Sequence, residues 1–325
     1  MAESILERLR KGVVLGDGGY LLELERRGVT RAGPFTPEAV LEQPDAVLQL
    51  HREFLFAGAE VLQAFAFYGS REKLSTVGFS DRVEQLNRNA VRLARRVAGQ
   101  ETLVAANLSP TWKWTESPKT ASRLFDEQIT WQTEEGVDFI IGETFFHLGE
   151  ARLCLERVKA LTKLPVMITL TFRAEPKTED GVSVAECMKT LAGEGADIVG
   201  INCMRDPARS YGLIDEARRA THAPLAAQPV AYRCTGDVPW FSGTPAFPDR
   251  LEPLQLTRYE MGEFARRARD MGVNYIGGCC GVLAIHLREM ARALGKRPQE
   301  GGPWEPDYDR PMSETEFSRR RPGEK

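Results

Sequence analysis

The residues of this chain with the most distinctive chemistry are three cysteines in two short motifs. Cys279 and Cys280 are adjacent in "YIGGCCGVLAIHLREM", residues 275–290, where glycines flank them at the end of an apolar run. Cys203 ends a second apolar run, "GEGADIVGINC", residues 193–203. Such cysteines could pack as small hydrophobic residues or form a vicinal disulfide. In a reducing compartment, however, clustered cysteines more often bind metal or take part in catalysis.

If these three cysteines meet, a zinc site is their most direct use. Three soft thiolates favour Zn²⁺, and three protein ligands leave a fourth tetrahedral position open, as in catalytic zinc sites. Because coordination stabilises a thiolate over a thiol, such a site would deprotonate a substrate thiol near neutral pH. The predicted reaction class is therefore alkyl transfer to sulfur. The alternative from a different class is a structural-zinc or redox protein in which Cys234 is the fourth ligand.

Composition and charge limit the compartment and the partners. The first 30 residues are too charged for the apolar core of a signal peptide, and no stretch approaches the length of a membrane span. We therefore expect a cytoplasmic chain with reduced cysteines and no membrane partner. A formal net charge of −3 is not basic enough to predict nucleic-acid binding. The other cysteines and the histidines show no ligand spacing and are expected to be packing, structural or surface residues: Cys154, Cys187, His51, His147, His222 and His286.

A phrase that recurs four times predicts the elements that position the cysteines. In each occurrence a glycine follows an amphipathic helical stretch and precedes a small or branched residue, an acid or amide, and a short apolar run. We expect each glycine to take the left-handed conformation at a helix end, immediately before a buried strand. These glycines are Gly58, Gly136, Gly195 and Gly272.

Four further apolar runs lie between these units, at residues 13–19, 103–110, 165–172 and 224–230. Eight continuous apolar strands alternating with helices are typical of a parallel sheet that is covered by helices on the outside. The sequence thus predicts an α/β fold, a single (β/α)8 TIM barrel formed by residues 1–296. Residues 297–325 are polar, charged and rich in proline and glycine, and are predicted to form an arm or a partly disordered tail.

In such a barrel the chemistry takes place at the C-terminal ends of the strands. Side chains from alternate strands share a layer, so Cys203 on strand 6 can meet the cysteine pair on strand 8. The long aromatic loops after strands 3 and 7 are predicted either to cover the barrel mouth or simply to pack as loops. The candidate site residues at the strand ends are Asp17, Phe67, Tyr68, Asn107, Glu143, Phe172, Cys203, Gln228, Cys279 and Cys280.

Several motifs together resemble the homocysteine S-methyltransferase family. They are "GDGGYLLELERRG", "AGPFTPEAV", "LHREFLFAGAEVLQAFAFY", "GINC" and "YIGGCCG", and the similarity runs in one register from Ile5 to Arg297. The resemblance implies a (β/α)8 barrel with zinc held by Cys203, Cys279 and Cys280. It also implies that the homocysteine thiolate occupies the fourth position and accepts a methyl group, which gives methionine. Asp17 and Glu143 match the acids that hold the amino group of homocysteine.

The sequence departs from the betaine-using members of that family at two positions. Those members have a tryptophan where this chain has Phe35 and a tyrosine where it has Thr144. Aromatic faces bind a quaternary ammonium by cation–π attraction, and tryptophan binds it best. The candidate donor-binding residues are Phe35, Phe67, Tyr68 and Thr144, with glycine betaine as the first donor and S-methylmethionine or a dimethylsulfonium acid as the alternatives. A homo-oligomer is compatible with the resemblance, but the long C-terminal oligomerisation arm of the family is largely missing here.

Overall fold

A parallel sheet that curves into a barrel runs through the part of the chain that the structure describes. The structure is a computed structural model and describes residues 3–31 and 33–296. Within these residues, eight parallel strands pair in the order β1-β8-β7-β6-β5-β4-β3-β2. The strands are β1 (Val14–Leu15), β2 (Val61–Gln63), β3 (Leu103–Leu108), β4 (Phe139–Phe145), β5 (Val166–Leu170), β6 (Ile198–Asn202), β7 (Leu225–Gln228) and β8 (Tyr275–Ile276).

Helices alternate with the strands, and most of them cover the outside of the sheet. They are α1 (Ile5–Lys11), α2 (Leu21–Arg26), α3 (Ala39–Glu42), α4 (Pro44–Phe56), α5 (Arg71–Ser75), α6 (Val83–Ala98), α7 (Pro118–Glu134), α8 (Leu148–Leu161), α9 (Val184–Gly193), α10 (Pro207–Ala220), α11 (Arg258–Asp270) and α12 (Ala284–Ala293). The predicted (β/α)8 TIM barrel is thus confirmed. Within the described residues, no helix is both long and apolar enough to cross a membrane. The tail predicted at residues 297–325 lies outside the described residues, and the proposed domain boundary at residue 296 stays a prediction.

Sequence signals at the helix ends explain the regular alternation. The four predicted glycines all have positive φ, with values of 106° at Gly58, 82° at Gly136, 92° at Gly195 and 84° at Gly272. Each therefore ends a helix in a conformation that costs other residues more. Helix starts are equally well marked, since Ser4 accepts a hydrogen bond from the backbone of Glu7 and the Glu7 side chain bonds back to Ser4. Such a capping box satisfies amides that would otherwise lack partners.

The interior of the barrel is closed at the N-terminal end of the strands. Alternate strand residues such as Ile141, Met167 and Tyr275 form one buried cluster, and α1 adds Ile5 and Leu9 to it. β1 and β2 lie at the two ends of the strand order, and the backbone N–H of Glu60 donates to the carbonyl of Leu15 at 2.8 Å between them. Since the N-terminal end is filled, the predicted site residues in the described part of the chain gather at the C-terminal ends of the strands.

Candidate active site

The three predicted cysteines meet at the C-terminal rim. The sulfurs of Cys203, Cys279 and Cys280 all lie within 4.8 Å of one another, and the Cys203 and Cys280 sulfurs are 3.9 Å apart. Cys203 is buried, whereas the other two are half-buried. Three soft sulfur ligands at one point suit Zn²⁺ or another thiophilic cation. The geometry therefore fits a metal ion held from one side, with the other side facing the cavity that these cysteines line.

Backbone hydrogen bonds to the last residue of β7 and to the residue after it hold Cys203 and Cys279 in place. Cys203 N–H donates to the carbonyl of Gln228 at 2.8 Å, and Cys279 N–H donates to that of Pro229 at 2.9 Å. β8 ends at Ile276, earlier than the sequence predicted, because the glycines that follow it turn the chain out of the sheet. A Cβ on Gly19 would lie 2.6 Å from the carbonyl oxygen of Cys279, so this close approach requires glycine.

The pKa of each of the three thiols depends strongly on the other two. Hydrogen bonds from Cys279 and Cys280 lower the pKa of the Cys203 thiol well below its usual value. The same contacts with Cys203 raise the pKa of both Cys279 and Cys280. The cluster therefore prefers to carry a single negative charge, which hydrogen bonds among its three sulfurs stabilise. A divalent cation would change this preference because it favours the thiolate at every ligand.

The other cysteines do not join this group. Cys234, the alternative fourth ligand, is buried and its sulfur lies 3.8 Å from the carbonyl oxygens of both Met204 and Tyr232. Among the described His, Cys, Asp and Glu residues, only the three predicted cysteines form a cluster of this kind. Cys154 and Cys187 are fully buried on α8 and α9, as predicted for packing residues. The geometry thus favours an open set of three sulfurs over a closed set of four.

A buried carboxylate, Glu143 at the end of β4, lies in a ring of side-chain amides. Gln63 and Asn107 donate to its Oε1 at 2.6 and 2.7 Å, and Asn202 donates to its Oε2 at 2.9 Å. Burial nevertheless raises the pKa of Glu143 to about 7, because amide hydrogen bonds only partly replace water. Glu143 lines the cavity, so a ligand ammonium at this position would supply the missing positive charge.

Asp17, the other predicted acid, lies immediately behind the cavity wall. Its Oδ2 accepts hydrogen bonds from the Gln63 N–H at 2.7 Å and from the Tyr20 hydroxyl, which is also 3.0 Å from Nδ1 of His51. Burial raises the pKa of Asp17 to about 6. Its neighbours Gly18 and Gly19 line the cavity, but Asp17 itself is not among the described residues that do so. Direct contact of Asp17 with a ligand therefore stays a prediction.

Aromatic rings form much of the remaining wall. The cavity has a volume of about 360 Å³, which is within the range of small-molecule sites. The ring centroids of Phe67 and Tyr68 are 4.1 Å apart, and those of Tyr68 and Trp112 are 5.6 Å apart. Phe35 stacks on Phe247 at 5.8 Å. The predicted residues Phe35, Phe67, Tyr68 and Thr144 all line this cavity.

The two long loops contribute unequally to the wall. Trp112, from the loop after β3, is 51% exposed and lines the mouth of the cavity. By contrast, Trp114 packs so closely on Gly149 that a Cβ there would overlap its ring, and Trp240 packs in the same way on Gly243. The second loop contributes Phe247 to the lining. Trp112 therefore lines the cavity, whereas Trp114 and Trp240 pack within the loops.

Backbone strain is concentrated around this cavity. In the described part of the chain, every non-glycine residue with positive φ also lines the cavity. Positive φ is costly for residues with a Cβ, most of all for a β-branched one such as Thr144, and such residues cluster at functional sites. They are Phe35, Tyr68, Trp112, Thr144, Cys203 and Met204.

Several residues of the site were not predicted from the sequence. Gln63 and Asn202 are the last residues of β2 and β6, and Tyr20 immediately precedes α2. The amides of Gln63 and Asn202 could have been noticed, because each is a polar residue in an otherwise apolar run. Lys73 on α5 and Phe146 after β4 also line the cavity. Of the predicted strand-end residues, Gln228 and Asn107 line the cavity. Phe172 is buried and is not among the described residues that line it.

The fold and the site together define a (β/α)8-barrel protein with a cysteine cluster able to hold a metal ion beside an aromatic cavity. Residues 14–294 match the profile of the homocysteine S-methyltransferase family. Betaine–homocysteine S-methyltransferase 1 of Danio rerio is 41% identical to this chain over 307 residues, which are 90% of this chain and 75% of that protein. S-methylmethionine–homocysteine S-methyltransferase of Pongo abelii is 39% identical over 309 residues, covering 92% and 82%.

A solved structure shows the same fold. The homocysteine methyltransferase MmuM from Escherichia coli, in its metallated form, aligns with a TM-score of 0.71 at 18% identity, covering 88% of this chain and 99% of that one. The chain belongs to the homocysteine S-methyltransferase family, and it is an enzyme that transfers a methyl group to homocysteine.

Proposed function

We propose that this methyl transfer depends on zinc and uses a small onium donor, with glycine betaine as the first candidate and methionine as the product. The observation that carries the proposal is the meeting of three cysteine sulfurs within 4.8 Å at an aromatic-lined cavity. A thiolate acceptor and a cationic donor are the two reactants that such a site would bind side by side.

Cys203, Cys279 and Cys280 would hold the metal ion. When bound, zinc supplies a coordination position at which the homocysteine sulfur is stabilised as a thiolate near neutral pH. The chain contributes the backbone hydrogen bonds that fix the direction of each cysteine, such as the bond from Cys279 to Pro229. A fixed ligand set lets the acceptor sulfur be positioned for attack without reorganisation.

The amino group of homocysteine is assigned to Glu143, with Asp17 behind it. Amides occupy both oxygens of Glu143, so the carboxylate is held in one orientation. Two buried acids near one position provide the negative charge that an ammonium requires when it leaves water. This contact would orient homocysteine with its thiol toward the cysteines.

The donor is assigned to the aromatic side of the cavity, where Phe35, Phe67 and Tyr68 lie. In the reaction a new bond forms between the acceptor sulfur and the methyl carbon while the bond from that carbon to the donor nitrogen breaks. The bonding electrons remain on nitrogen, so glycine betaine would leave as dimethylglycine. Aromatic faces suit this step because they bind the cation without offering it a fixed anion that would over-stabilise the ground state.

Two alternatives differ in a testable way. The same chemistry with S-methylmethionine or a dimethylsulfonium acid breaks a carbon–sulfur bond instead, and the Pongo abelii relative is named for S-methylmethionine. The structural-zinc or redox alternative needs Cys234 as a ligand, and the position of its sulfur beside the Met204 carbonyl does not favour it.

The deciding experiment is a donor panel with the zinc-loaded protein and homocysteine. Glycine betaine, S-methylmethionine and dimethylsulfoniopropionate are compared by the homocysteine consumed, with dimethylglycine, which is not a quaternary onium ion, as the negative control. We expect glycine betaine to give the highest kcat/KM and dimethylglycine to give no turnover. Methionine formation from none of the onium donors, or unchanged formation after zinc is removed and not restored, would contradict the proposal.

A further inference from the structure

A lysine ammonium lies at the aromatic wall of the cavity without an anionic partner among the residues that the structure describes. Lys73 Nζ is 4.9 Å from the ring centroid of Tyr68 and 5.2 Å from that of Trp112, and Lys73 lines the cavity. Both distances are within the range of cation–π contacts. Burial lowers the pKa of Lys73, and no described carboxylate lies close enough to offset this.

The other cation on this wall differs from Lys73 in this respect. Arg173 lies over the ring of Phe146 at 4.4 Å, but it also forms an ion pair with Glu179 at 2.6 Å. Glu143, the acid in the described cavity lining, is already surrounded by amides. Within the described part of the chain, the positive charge of Lys73 is therefore the one left uncompensated on the wall.

This charge restricts which onium compounds can bind beside Tyr68. An onium ion that approaches the same rings is repelled by the ammonium of Lys73, which is half-buried and therefore only partly screened by water. A carboxylate on the same donor would replace the repulsion by attraction. Lys73, Tyr68 and the cysteines Cys203 and Cys280 line the same cavity, so one small molecule could reach from Lys73 toward the sulfurs.

We propose that Lys73 is a specificity-determining residue that binds the carboxylate of the methyl donor, and that the donor class is an onium monocarboxylate without a second cationic group. This inference rests on the proposed function of the cavity. Glycine betaine and dimethylsulfoniopropionate belong to this class. S-methylmethionine does not, because its ammonium adds a second positive charge next to Lys73.

The test compares glycine betaine with its carboxamide, which keeps the trimethylammonium group but has no negative charge. The kcat/KM of each donor is measured at saturating homocysteine for the wild type, Lys73→Met and Lys73→Arg. A charged hydrogen bond is worth about 10- to 100-fold in kcat/KM, so we expect the wild type to prefer the acid by about that factor. Lys73→Met should reduce the preference to a few-fold, whereas Lys73→Arg should keep most of it.

Controls separate a donor contact from a folding effect. Lys163→Met removes an exposed lysine from the turn before β5, at the opposite end of the barrel, and should leave the preference as in the wild type. Zinc content and the KM for homocysteine should be the same in all variants. Lys73→Met should also narrow the gap between glycine betaine and S-methylmethionine.

The outcomes distinguish this inference from the function on which it rests. An unchanged acid-to-amide ratio in an active Lys73→Met variant overturns the inference and leaves the proposed function intact. A raised KM for homocysteine with an unchanged ratio also overturns it, since Lys73 would then bind the acceptor. A wild type that forms no methionine from any onium donor overturns the proposed function and the inference together.

Discussion

Asn202 connects the proposed acceptor site to the cysteine cluster by donating from Nδ2 to Glu143 Oε2 at 2.9 Å. Asn202 is the last residue of β6 and the next residue along the chain is Cys203, whereas Glu143 lies on β4. The intervening strand takes part as well, because Thr169 donates to Oδ1 of Asn202 at 2.9 Å. Side chains of alternate strands share a layer in this fold, so the acid and the cysteine are held at a fixed separation.

The first prediction follows from that arrangement. Glu143→Gln should raise the KM for homocysteine by about 10- to 100-fold, because a buried charge-assisted contact is worth about 1.5–3 kcal/mol. Zinc content should not change. Glu156→Gln, at a glutamate whose side chain is 70% exposed on α8, is the matched control. An unchanged homocysteine KM and turnover in Glu143→Gln would show that the acceptor's amino group binds elsewhere.

The second prediction concerns pH and stability. Burial raises the pKa of Glu143 from 4.5 to about 7, so the native protein keeps a proton that the unfolded chain has lost. The free energy of unfolding of the metal-free protein should therefore fall as the pH rises from about 4.5 to about 7, by up to about 3 kcal/mol from this group. Glu143→Gln should flatten that dependence in urea titrations at several pH values, and an equally steep dependence in the variant would contradict the assignment.

The third prediction concerns the metal. The purified protein should bind about one zinc per chain, and Cys203→Ser, Cys279→Ser and Cys280→Ser should each lose most of it together with activity. Elemental analysis gives the metal content, and circular dichroism checks that the barrel is folded. Cys234→Ser is the control, since its sulfur contacts backbone carbonyls rather than the cluster. Full zinc occupancy in a cluster variant would remove that residue from the ligand set, and zinc loss in Cys234→Ser would favour the closed site.

The fourth prediction concerns the support of Asp17. Tyr20→Phe removes the hydroxyl that donates to Asp17 and leaves Nδ1 of His51 without its acceptor. Since both partners are buried, the free energy of unfolding should fall by about 1–3 kcal/mol. Tyr211→Phe is a matched control, because the described structure gives the Tyr211 ring a contact with Arg267 but no hydrogen bond to its hydroxyl. Equal stability of Tyr20→Phe and the wild type in chemical denaturation would show that this hydroxyl is not needed.

The barrel and its cysteine cluster could be predicted from sequence because both depend on local patterns. Gly58 and the related glycines mark the helix ends, and apolar runs such as that of β4 mark the strands. Strand ends at a common rim then bring Cys203 to the cysteine pair without any long-range information. The sequence was less informative at β8, where only two residues pair before the glycines leave the sheet.

The polar and cationic residues around the cavity could not be predicted in the same way. Lys73 lies on a five-residue helix within a loop region, and its position over Tyr68 depends on loop geometry that no periodicity encodes. Thr144 illustrates the reverse case. It lines the cavity, and its hydroxyl accepts a hydrogen bond from Asn202 at 2.7 Å. This bond ties Thr144 to the side chains around Glu143, whereas its contact with a donor stays a prediction.

The last prediction concerns Phe35, the position at which the betaine-using members of the family have tryptophan. Phe35 is half-buried, lines the cavity and stacks on Phe247, so an indole at this position would extend the aromatic wall. Because tryptophan is the stronger cation–π partner, Phe35→Trp should lower the KM for glycine betaine by about 3- to 10-fold and leave the homocysteine KM unchanged.

A neutral analogue separates charge from shape in this experiment. The inhibition constant of 3,3-dimethylbutyrate, which has a tert-butyl group in place of the trimethylammonium group, is measured alongside. Cation–π attraction predicts a gain for glycine betaine that the neutral analogue does not share, because only the donor carries the positive charge. Equal tightening of both compounds would indicate that tryptophan adds apolar contact only. Weaker binding of glycine betaine in Phe35→Trp would show that this position does not face the donor, and would shift the donor assignment toward Phe67 and Tyr68.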